Sequence, residues 1–298
     1  MKYLKWINKN LSDKTAKTAV VLGATGSFGK FISKALAYKN ANLILVARNK
    51  DNLLKLADEV RIINENIKVD IAIIDLFDNK SVKDFLSSIN SINIDYFIST
   101  AGVYHLPVRK TIDSLEVHFE ANYFNHAYIL EYLISNKPKT KIIFTNSLSY
   151  RFNKIDYDNI ESDNDKNKTK IYARSKRLLL NHLNYYKKKD YNIEIPHPGI
   201  SPTTLFFGAN KGYKGIIKWI LKPLMKLVFQ NPDKCALGIL HAIDNKTNYG
   251  YQIGPRGLFR VWGYPKAYRL NKCVLNDDEQ KKVIDAYNKI LEHIEKVE

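Results

Sequence analysis

The sequence predicts an α/β protein in which a doubly wound parallel sheet lies between two layers of helices, a three-layer α/β/α arrangement. Two observations predict it: short β-branched runs alternate with helical stretches, and no repeat or low-complexity linker interrupts the alternation. Parallel strands need long crossover connections, so this alternation favours a parallel sheet with helices on both faces. The chain has 298 residues, of which 45% are hydrophobic, so we expect residues 1–298 to form a single domain.

Each predicted strand is a β-branched run bounded by turn residues or charges. The strands are Thr18–Leu22, Asn42–Ala47, Val69–Ile74, Asp95–Ser99, Lys141–Thr145 and Asn192–Ile195. Between them, apolar residues recur at helical spacing. The predicted helices are Lys30–Tyr38, Lys50–Asn64, Lys80–Ile89, Asp113–Ser135 and Ala173–Lys189. A polar stretch, residues 158–170, is interpreted as an inserted loop.

The chain is strongly basic, with 47 Lys and Arg against 30 Asp and Glu and a net charge of +17. Most of the basic residues are lysines spread along the whole chain, whereas nucleic-acid-binding proteins usually concentrate them on one element. We therefore interpret the charge as a compositional bias and expect no nucleic-acid partner. Cys235 and Cys273 are far apart and form no CxxC pair, so neither a disulfide framework nor a metal site is predicted.

A glycine-rich turn follows the first predicted strand and opens the first predicted helix. The residues that we expect to contact a dinucleotide there are Gly23, Thr25, Gly26, Ser27, Phe28 and Gly29. Such a turn lets the backbone approach a pyrophosphate closely, and the helix N-terminus attracts its negative charge. Its position directly after the first strand predicts a dinucleotide-binding domain of the Rossmann type.

The ends of the next two strands indicate which dinucleotide binds. Arg48 follows the second strand, where an enzyme that uses NAD normally has an acidic residue for the ribose 2′-hydroxyl. An arginine there favours a 2′-phosphate, so NADP(H) is the predicted cofactor and NAD(H) the less favoured one. Asp75 and Leu76 follow the third strand, where a carboxylate can accept a hydrogen bond from the adenine amino group. The alternative for Asp75 is that it caps the helix near Asn79.

Tyr172 and Lys176 are four residues apart, so on a helix both would project from one face. A nearby ammonium stabilises a phenolate and brings the tyrosine pKa toward neutrality, which suits an acid or base. Ser147, at the end of the fifth strand, can hydrogen-bond a substrate carbonyl oxygen as negative charge develops on it. Ser149 is the alternative for this role. These groups predict hydride-transfer chemistry at a carbonyl.

The segment from Tyr172 to Lys176 has the form YxxxK, and five further motifs accompany it in a fixed order. They are the glycine-rich turn, Ser99–Gly102, Asn122, Thr145–Ser147, and Pro198–Gly199 with Thr203. Together the motifs resemble the short-chain dehydrogenase/reductase superfamily, and within it the branch of the retinol dehydrogenases and protochlorophyllide reductase.

The resemblance implies an oxidoreductase and gives several residues a role. Tyr172 would be the acid or base, Lys176 would tune it and hold the nicotinamide ribose, and Asn122 would organise a water relay. The other residues expected to contact the cofactor are Ala101, Gly102, Pro198, Gly199 and Thr203. The resemblance therefore predicts an NADP(H)-dependent enzyme that interconverts a carbonyl and an alcohol on a hydrophobic small molecule.

Departures from the family pattern leave alternatives open. The glycines read GxxGxxG, as in extended members of the superfamily that act on nucleotide sugars. Ser99 and Thr100 replace the usual asparagines, one of which ties neighbouring strands, and Asn146 replaces the first serine of a pair. The alternatives are an extended-type enzyme for a nucleotide sugar, or a catalytically silent NADP(H)-binding regulatory or membrane-associated protein. The histidines expected to be structural, because the mechanism assigns them no proton, are His118, His126 and His197.

The superfamily's substrate lid would correspond to about residues 204–230, where charge is concentrated locally. The lysines that recur every four residues there are Lys214, Lys218, Lys222 and Lys226. Either the apolar side of the lid covers a hydrophobic substrate while the lysines face water, or the stripe contacts a membrane surface. No apolar run of about 18 residues is present. We therefore expect a cytoplasmic protein, with peripheral membrane contact as the second interpretation. The sequence leaves the subunit number open, with a homo-oligomer as one alternative. A C-terminal extension is expected from about residue 255 to 298.

Overall fold

The computed structural model describes residues 2–161, 165–199 and 230–297, and at its centre is a six-stranded parallel sheet. Its strands are β1 (Thr18–Leu22), β2 (Asn42–Ala47), β3 (Val69–Ile73), β4 (Tyr96–Ser99), β5 (Lys141–Phe144) and β6 (Ile193–Glu194). Their order is β3-β2-β1-β4-β5-β6, so the strand order reverses between β1 and β4. Ligands of such sheets bind beyond the carboxyl ends of the strands at the reversal.

Helices cover both faces of the sheet. In the described ranges they are α1 (Leu4–Asn10), α2 (Ser27–Tyr38), α3 (Lys50–Ile63), α4 (Asn79–Ser88), α5 (Val117–Phe119), α6 (Asn125–Asn136), α7 (Lys168–Lys187), α8 (Pro232–Asp244) and α9 (Asp277–Val297). Side chains alternate along a strand, so Val21 of β1 belongs to the core formed with α1 to α3 and α8. Val20 belongs to the opposite core, formed with α4 to α7 and α9. The predicted three-layer α/β/α fold is confirmed.

The strand ends match the sequence predictions to within one residue, but several helices differ. Helix α2 begins at Ser27, three residues before the predicted start, and the helix predicted over Asp113–Ser135 begins only with α5 and is divided by a π-helix from α6. α7 begins at Lys168, before the predicted start at Ala173, because the side chain of Asn167 accepts hydrogen bonds from the backbone N–H groups of the first turn. The interpretation of residues 158–170 as a loop is therefore wrong over its last three residues. The short helix α1, which the sequence did not predict, buries Ile7 against the sheet.

The C-terminal region extends the sheet beside β6. It forms an antiparallel hairpin of β7 (Tyr251–Pro255) and β8 (Pro265–Arg269). The Ile253 N–H donates to the Ile195 carbonyl at 3.3 Å, and the His197 N–H donates to the Ile253 carbonyl at 2.8 Å. This bridge is parallel, so the carboxyl end of β7 lies at the same sheet edge as those of β5 and β6. The expected extension from about residue 255 thus begins at the end of a strand.

Three features fall partly or wholly outside the described residues. Thr203, the lysine stripe and almost all of the expected lid, about residues 204–230, lie there. Within the ranges that are described, no helix is long and apolar enough to cross a membrane.

Candidate active site

A cavity of about 1610 Å³ opens at the carboxyl ends of β1 to β5 and extends to the segments after β6 and β7. Most of the predicted site residues line it: Gly23, Thr25, Gly26, Ser27, Phe28, Arg48, Asp75, Leu76, Ala101, Gly102, Ser147, Tyr172, Lys176, Pro198 and Gly199. Gly29 and Asn122 are not among the lining residues. The structure therefore brings the cofactor motifs and the YxxxK motif to one cavity.

The glycine-rich turn is shaped by two positions that exclude a side chain. Gly23 has a φ of 82°, and a Cβ atom there would lie 2.8 Å from the backbone nitrogen of Ala101. A Cβ atom on Gly29 would lie 2.2 Å from the Gly23 carbonyl oxygen. Gly29 therefore serves the packing of the turn, which lies directly against the loop after β4. This packing leaves the N-terminus of α2 at the cavity, where it suits a pyrophosphate.

Arg48 and Asp75 lie together at the rim of the cavity. The Arg48 Nη1 and Asp75 Oδ1 atoms are 4.0 Å apart, and the arginine side chain is 60% exposed. The Arg48 guanidinium also lies 5.0 Å from the centre of the Phe77 ring. The carboxylate of Asp75 accepts a hydrogen bond from the Phe77 N–H at 3.1 Å. The alternative role of Asp75 as a helix cap is wrong, because the side chain of Asp78 caps α4.

Tyr172, Lys176 and Ser147 meet at the cavity wall. Helix α7 places the Lys176 Nζ atom 5.8 Å from the centre of the Tyr172 ring. The Ser147 side chain interacts with Tyr172 and opposes the rise of the Tyr172 pKa. The ring of Tyr104 packs edge-on against that of Tyr172, with 4.9 Å between the ring centres. Asn146 fixes the serine backbone, because its Oδ1 accepts from the Ser147 N–H at 2.8 Å. Of the two candidate serines, Ser147 is thus the one placed on the tyrosine.

Burial shifts the pKa values of Tyr172 and Lys176 in opposite directions. It raises the pKa of Tyr172 to about 12, although the Ser147 side chain opposes the shift. Burial also lowers the pKa of Lys176 to about 8. Burial, and not the ammonium of Lys176, therefore sets the tyrosine pKa, contrary to the expectation of a value near neutrality. The phenol is protonated at neutral pH and is ready to donate a proton.

Known proteins are similar in sequence to much of this chain. Residues 17–155 match the family described as short chain dehydrogenase. Retinol dehydrogenase 11 of Mus musculus is 27% identical over 212 residues, which cover 68% of this chain and 66% of that protein. Retinol dehydrogenase 13 of Homo sapiens is 28% identical over 233 residues, which cover 74% of this chain and 70% of that protein. These matches support the short-chain dehydrogenase/reductase superfamily.

The matched region spans about two thirds of the length of these relatives. A short-chain dehydrogenase from Sphingobium yanoikuyae, solved in complex with NADPH, has the same fold, with a TM-score of 0.59 and 16% identity. The superposition covers 76% of this chain and 84% of that one. The predicted superfamily and its retinol dehydrogenase-like branch are confirmed, and the chain is placed among oxidoreductases.

Asn122 lies in a π-helix, Glu120–Phe124, that joins α5 to α6. The Oδ1 atom of Asn122 accepts from the Val103 N–H at 2.7 Å, and its Nδ2 donates to the Val103 carbonyl at 2.9 Å. A Cβ atom on Gly102 would lie 3.0 Å from the Asn122 Oδ1 and 3.4 Å from the Lys176 Nζ. Asn122 thus holds the loop after β4 close to the lysine. Its expected role in a water relay stays a prediction.

The strand tie that the sequence analysis considered lost is restored by other atoms. The Thr100 hydroxyl donates toward the Leu22 carbonyl at 3.2 Å and lies 3.3 Å from the Gly23 carbonyl. The Ser99 hydroxyl lies 2.8 Å from the Nε2 atom of His126. Thr100 and Ser99 therefore connect β4 to β1 and α6, so the departure from the usual asparagines leaves the end of β4 well anchored.

The three conspicuous histidines are buried and serve the structure, as predicted. His118 Nδ1 lies 2.7 Å from a carboxylate oxygen of Glu116. His126 Nδ1 lies 2.8 Å from the Ala121 carbonyl, and burial lowers the pKa of His126 to about 3. His197 accepts from the Gly199 N–H at 3.1 Å, and burial lowers its pKa also to about 3.

Several cavity-lining residues escaped the sequence analysis. They are Tyr104, Arg151, Arg256, Arg260 and Trp262. The only sequence signal for any of them is the position of Arg151, which follows Ser147 within the same short segment. The residues after β7 carry no motif, because their place at the cavity depends on the pairing of β7 with the end of β6.

Proposed function

We propose that the protein interconverts a carbonyl and an alcohol on a small molecule, using NADP(H) as the hydride donor or acceptor. The observation that carries this proposal is the meeting of the Tyr172 phenol, the Ser147 hydroxyl and the Lys176 ammonium at the cavity that the glycine-rich turn also lines. A proton donor, a hydroxyl partner and a buried cation beside a dinucleotide motif suit hydride transfer at a carbonyl.

In the direction of reduction, the carbonyl oxygen of the substrate is held by the hydroxyls of Ser147 and Tyr172. Bound NADPH supplies the hydride to the carbonyl carbon. The hydroxyl groups stabilise the negative charge that develops on the oxygen. Tyr172, protonated because of its raised pKa of about 12, then donates its proton to that oxygen. The charge of Lys176 stabilises the phenolate that remains, and this residue would also hold the nicotinamide ribose.

The preference for NADP(H) rests on Arg48 at the end of β2. Its guanidinium lies at the cavity rim and is 60% exposed, so a 2′-phosphate can replace the weak pairing with Asp75 at 4.0 Å. The NADPH-bound Sphingobium protein of the same fold supports this choice. Asp75 would accept from the adenine amino group, and Ala101, Gly102, Pro198, Gly199 and Thr203 would complete the contacts.

The walls beside the catalytic groups support a substrate with an apolar body. Side chains that line the cavity there include Tyr104, Leu148, Phe152, Val261 and Trp262. Retinol dehydrogenases are relatives by sequence, which agrees with this class of substrate. A cytoplasmic location with peripheral membrane contact through the lysine stripe, and a homo-oligomeric state, remain parts of the proposal.

The test is NADPH oxidation with a panel of aldehydes and ketones, with the Tyr172→Phe variant as its control. The variant should reduce substrates roughly 100-fold more slowly or worse, because it lacks the donated proton, while it binds NADPH as the wild type does. If the wild type and the variant are equally inert while both bind NADPH, the proposed function is wrong and the protein is a cofactor-binding regulator.

A further inference from the structure

Arginine side chains line the cavity at the ends of β5 and β7. Arg151 belongs to the short 3₁₀-helix Leu148–Phe152, which follows β5 and Ser147, and Arg256 and Arg260 follow β7. The ends of β5 and β7 flank the segment after β6, because β7 pairs with the extension of β6. These arginines therefore lie at the substrate end of the cavity, away from Arg48 at the end of β2.

Tyrosine rings support two of the guanidinium groups. The Arg151 guanidinium lies 5.6 Å from the centre of the Tyr150 ring, and its Nε donates to the Tyr150 hydroxyl at 3.3 Å. The Arg260 guanidinium lies 4.0 Å from the centre of the Tyr268 ring. The Arg260 Nη1 atom also donates to the Arg269 carbonyl at 3.4 Å. A guanidinium has five N–H donors, so these contacts leave most of the donors of Arg151 and Arg260 for other partners.

The charges of Arg151 and Arg260 act on the same region. Burial is the largest cause of the lowered pKa of His197, and the charges of these two arginines lower it further. They also lower the pKa of Tyr268, in opposition to its burial. The imidazole of His197 is neutral as a result and does not add to the positive charge. Both charges thus act on the rings of His197 and Tyr268, whose centres are 5.5 Å apart.

No carboxylate compensates these charges in the part of the chain that the structure describes. By contrast, the Arg174 guanidinium lies 3.8 Å from a carboxylate oxygen of Asp165. The Arg177 guanidinium lies 2.9 Å from a carboxylate oxygen of Glu279. None of the ion pairs among the described residues includes Arg151, Arg256 or Arg260. Residues 200–229, which follow Gly199, contain neither Asp nor Glu in the sequence.

The backbone around Arg260 is strained. Phe259 and Arg260 have φ values of 52° and 61°, a left-handed conformation that costs non-glycine residues free energy. Strained backbone of this kind is concentrated at ligand sites, where the surrounding structure maintains it. Here it holds the Arg260 guanidinium against Tyr268 at the cavity.

We propose that Arg151 and Arg260 bind an anionic group of the substrate, so that the protein acts on oxo acids or their hydroxy acid counterparts. The proposal rests on the proposed function and narrows its substrate class. Guanidinium groups pair with carboxylate and phosphate oxygens through charge-assisted hydrogen bonds. Apolar side chains such as Leu148 and Val261 would contact the body of the substrate, between the reacting carbonyl and the anionic end. Arg256 adds positive charge at the same end.

The test compares azelaic semialdehyde, a flexible chain with an aldehyde at one end and a carboxylate at the other, with its neutral methyl ester. At saturating NADPH, the wild type should prefer the acid by roughly 10- to 100-fold in kcat/KM. Arg151→Gln and Arg260→Gln should each reduce the ratio of acid to ester by roughly 10-fold, mainly through KM, and the double variant should bring it near unity. Arg260→Lys, which keeps the charge, should restore part of the preference.

Arg48→Gln is the matched control, because Arg48 lines the same cavity at its other end. It should leave the ratio of acid to ester unchanged at saturating NADPH. A second comparison of kcat/KM, between glyceraldehyde 3-phosphate and glyceraldehyde, then distinguishes a site that binds phosphate from one that binds carboxylate. A preference for the phosphorylated aldehyde indicates a phosphate-binding site. Equal turnover of acid and ester by the wild type overturns the anion site while the oxidoreductase stands. Calorimetric binding of the acid but not the ester to the NADP⁺-loaded protein, without turnover of either, supports the anion site and contradicts the proposed function.

Discussion

The two ends of the cavity differ in what forms their walls. Closely packed main chain forms much of the wall at the cofactor end, beside β1 to β3. At the substrate end, beside β5 to β7, the wall consists of side chains from distant segments. Gly23 brings the turn after β1 against Ala101, and Arg48 there lies 4.0 Å from the carboxylate of Asp75. At the other end, Arg151 and Arg260 have no carboxylate partner among the described residues. The cofactor end is thus a local motif with nearly balanced charge, and the substrate end is a tertiary assembly with excess positive charge.

The largest expected effect is at Lys176, which lies between the two ends. Lys176→Gln should lower kcat/KM for carbonyl reduction by roughly 100-fold or more, because the phenolate of Tyr172 loses its neighbouring cation. In the wild type the rate of reduction should fall as pH rises through about 8, where Lys176 loses its proton. Rates of NADPH oxidation across this pH range measure both effects.

The control for this prediction is Lys176→Arg, whose guanidinium stays charged at any pH at which the protein is folded. This variant should keep part of the activity, and its rate should no longer fall near pH 8. If its pH profile matches that of the wild type, another group titrates there, and the assignment to Lys176 is wrong.

The second prediction concerns the main-chain wall at the cofactor end. Gly23→Ala should weaken NADPH binding by roughly 10-fold or more and lower the free energy of unfolding by about 1–3 kcal/mol, because its φ is 82° and the new Cβ would meet Ala101. Gly250→Ala is the matched control, since Gly250 has a φ of 80° but a Cβ atom there would lie 3.6 Å from its nearest neighbour, the Leu275 side chain. Gly250→Ala should lower the free energy of unfolding but leave NADPH binding unchanged. Calorimetry with NADPH and thermal unfolding distinguish the two; equal weakening of NADPH binding in both would contradict the role of the turn.

The difference between the cofactor end and the substrate end also explains which parts of the site could be predicted from the sequence. The turn after β1 and the pair of Tyr172 and Lys176 are short-range patterns, so their geometry follows from strand alternation and helical spacing. The position of Arg260 depends on the pairing of Ile253 with Pro196, a long-range contact without a motif. Likewise, the sequence suggested that the strand tie at Thr100 was lost, because the direction of a hydroxyl is settled only by packing.

The burial of the catalytic groups was also beyond the sequence. Spacing alone places a cation near Tyr172, which would lower the tyrosine pKa, but in the folded protein Lys176 is buried and Tyr172 lies partly buried in the cavity wall. Burial is the largest cause of the shift and raises the pKa of Tyr172 to about 12. Strand ends and motif order are therefore predictable from this sequence, whereas the electrostatics of the site require the packed structure.

The third prediction tests the charge at the cofactor end. Arg48→Gln should reduce the preference for NADPH over NADH by roughly 10-fold, because it removes the partner of the 2′-phosphate. Arg109→Gln is the control, since the Arg109 guanidinium lies 5.6 Å from the centre of the same Phe77 ring but Arg109 does not line the cavity. It should leave the cofactor preference unchanged. Steady-state kcat/KM values for the two cofactors give the comparison, and an unchanged preference in Arg48→Gln would refute the assignment.

The smallest expected effect is at Thr100, whose hydroxyl ties the end of β4 to the glycine-rich turn. Thr100→Val keeps the shape of the side chain but removes the hydrogen bond to the Leu22 carbonyl at 3.2 Å, which should cost about 1 kcal/mol of unfolding free energy. Thr140→Val removes a comparable bond to the Ile94 carbonyl at 2.7 Å, at the opposite edge of the sheet. Both variants should lose similar stability in denaturant titrations, but only Thr100→Val should also weaken NADPH binding, because only Thr100 lies at the cavity. Unchanged NADPH binding in Thr100→Val would mean that main-chain packing at Gly23 holds the turn without the side-chain tie.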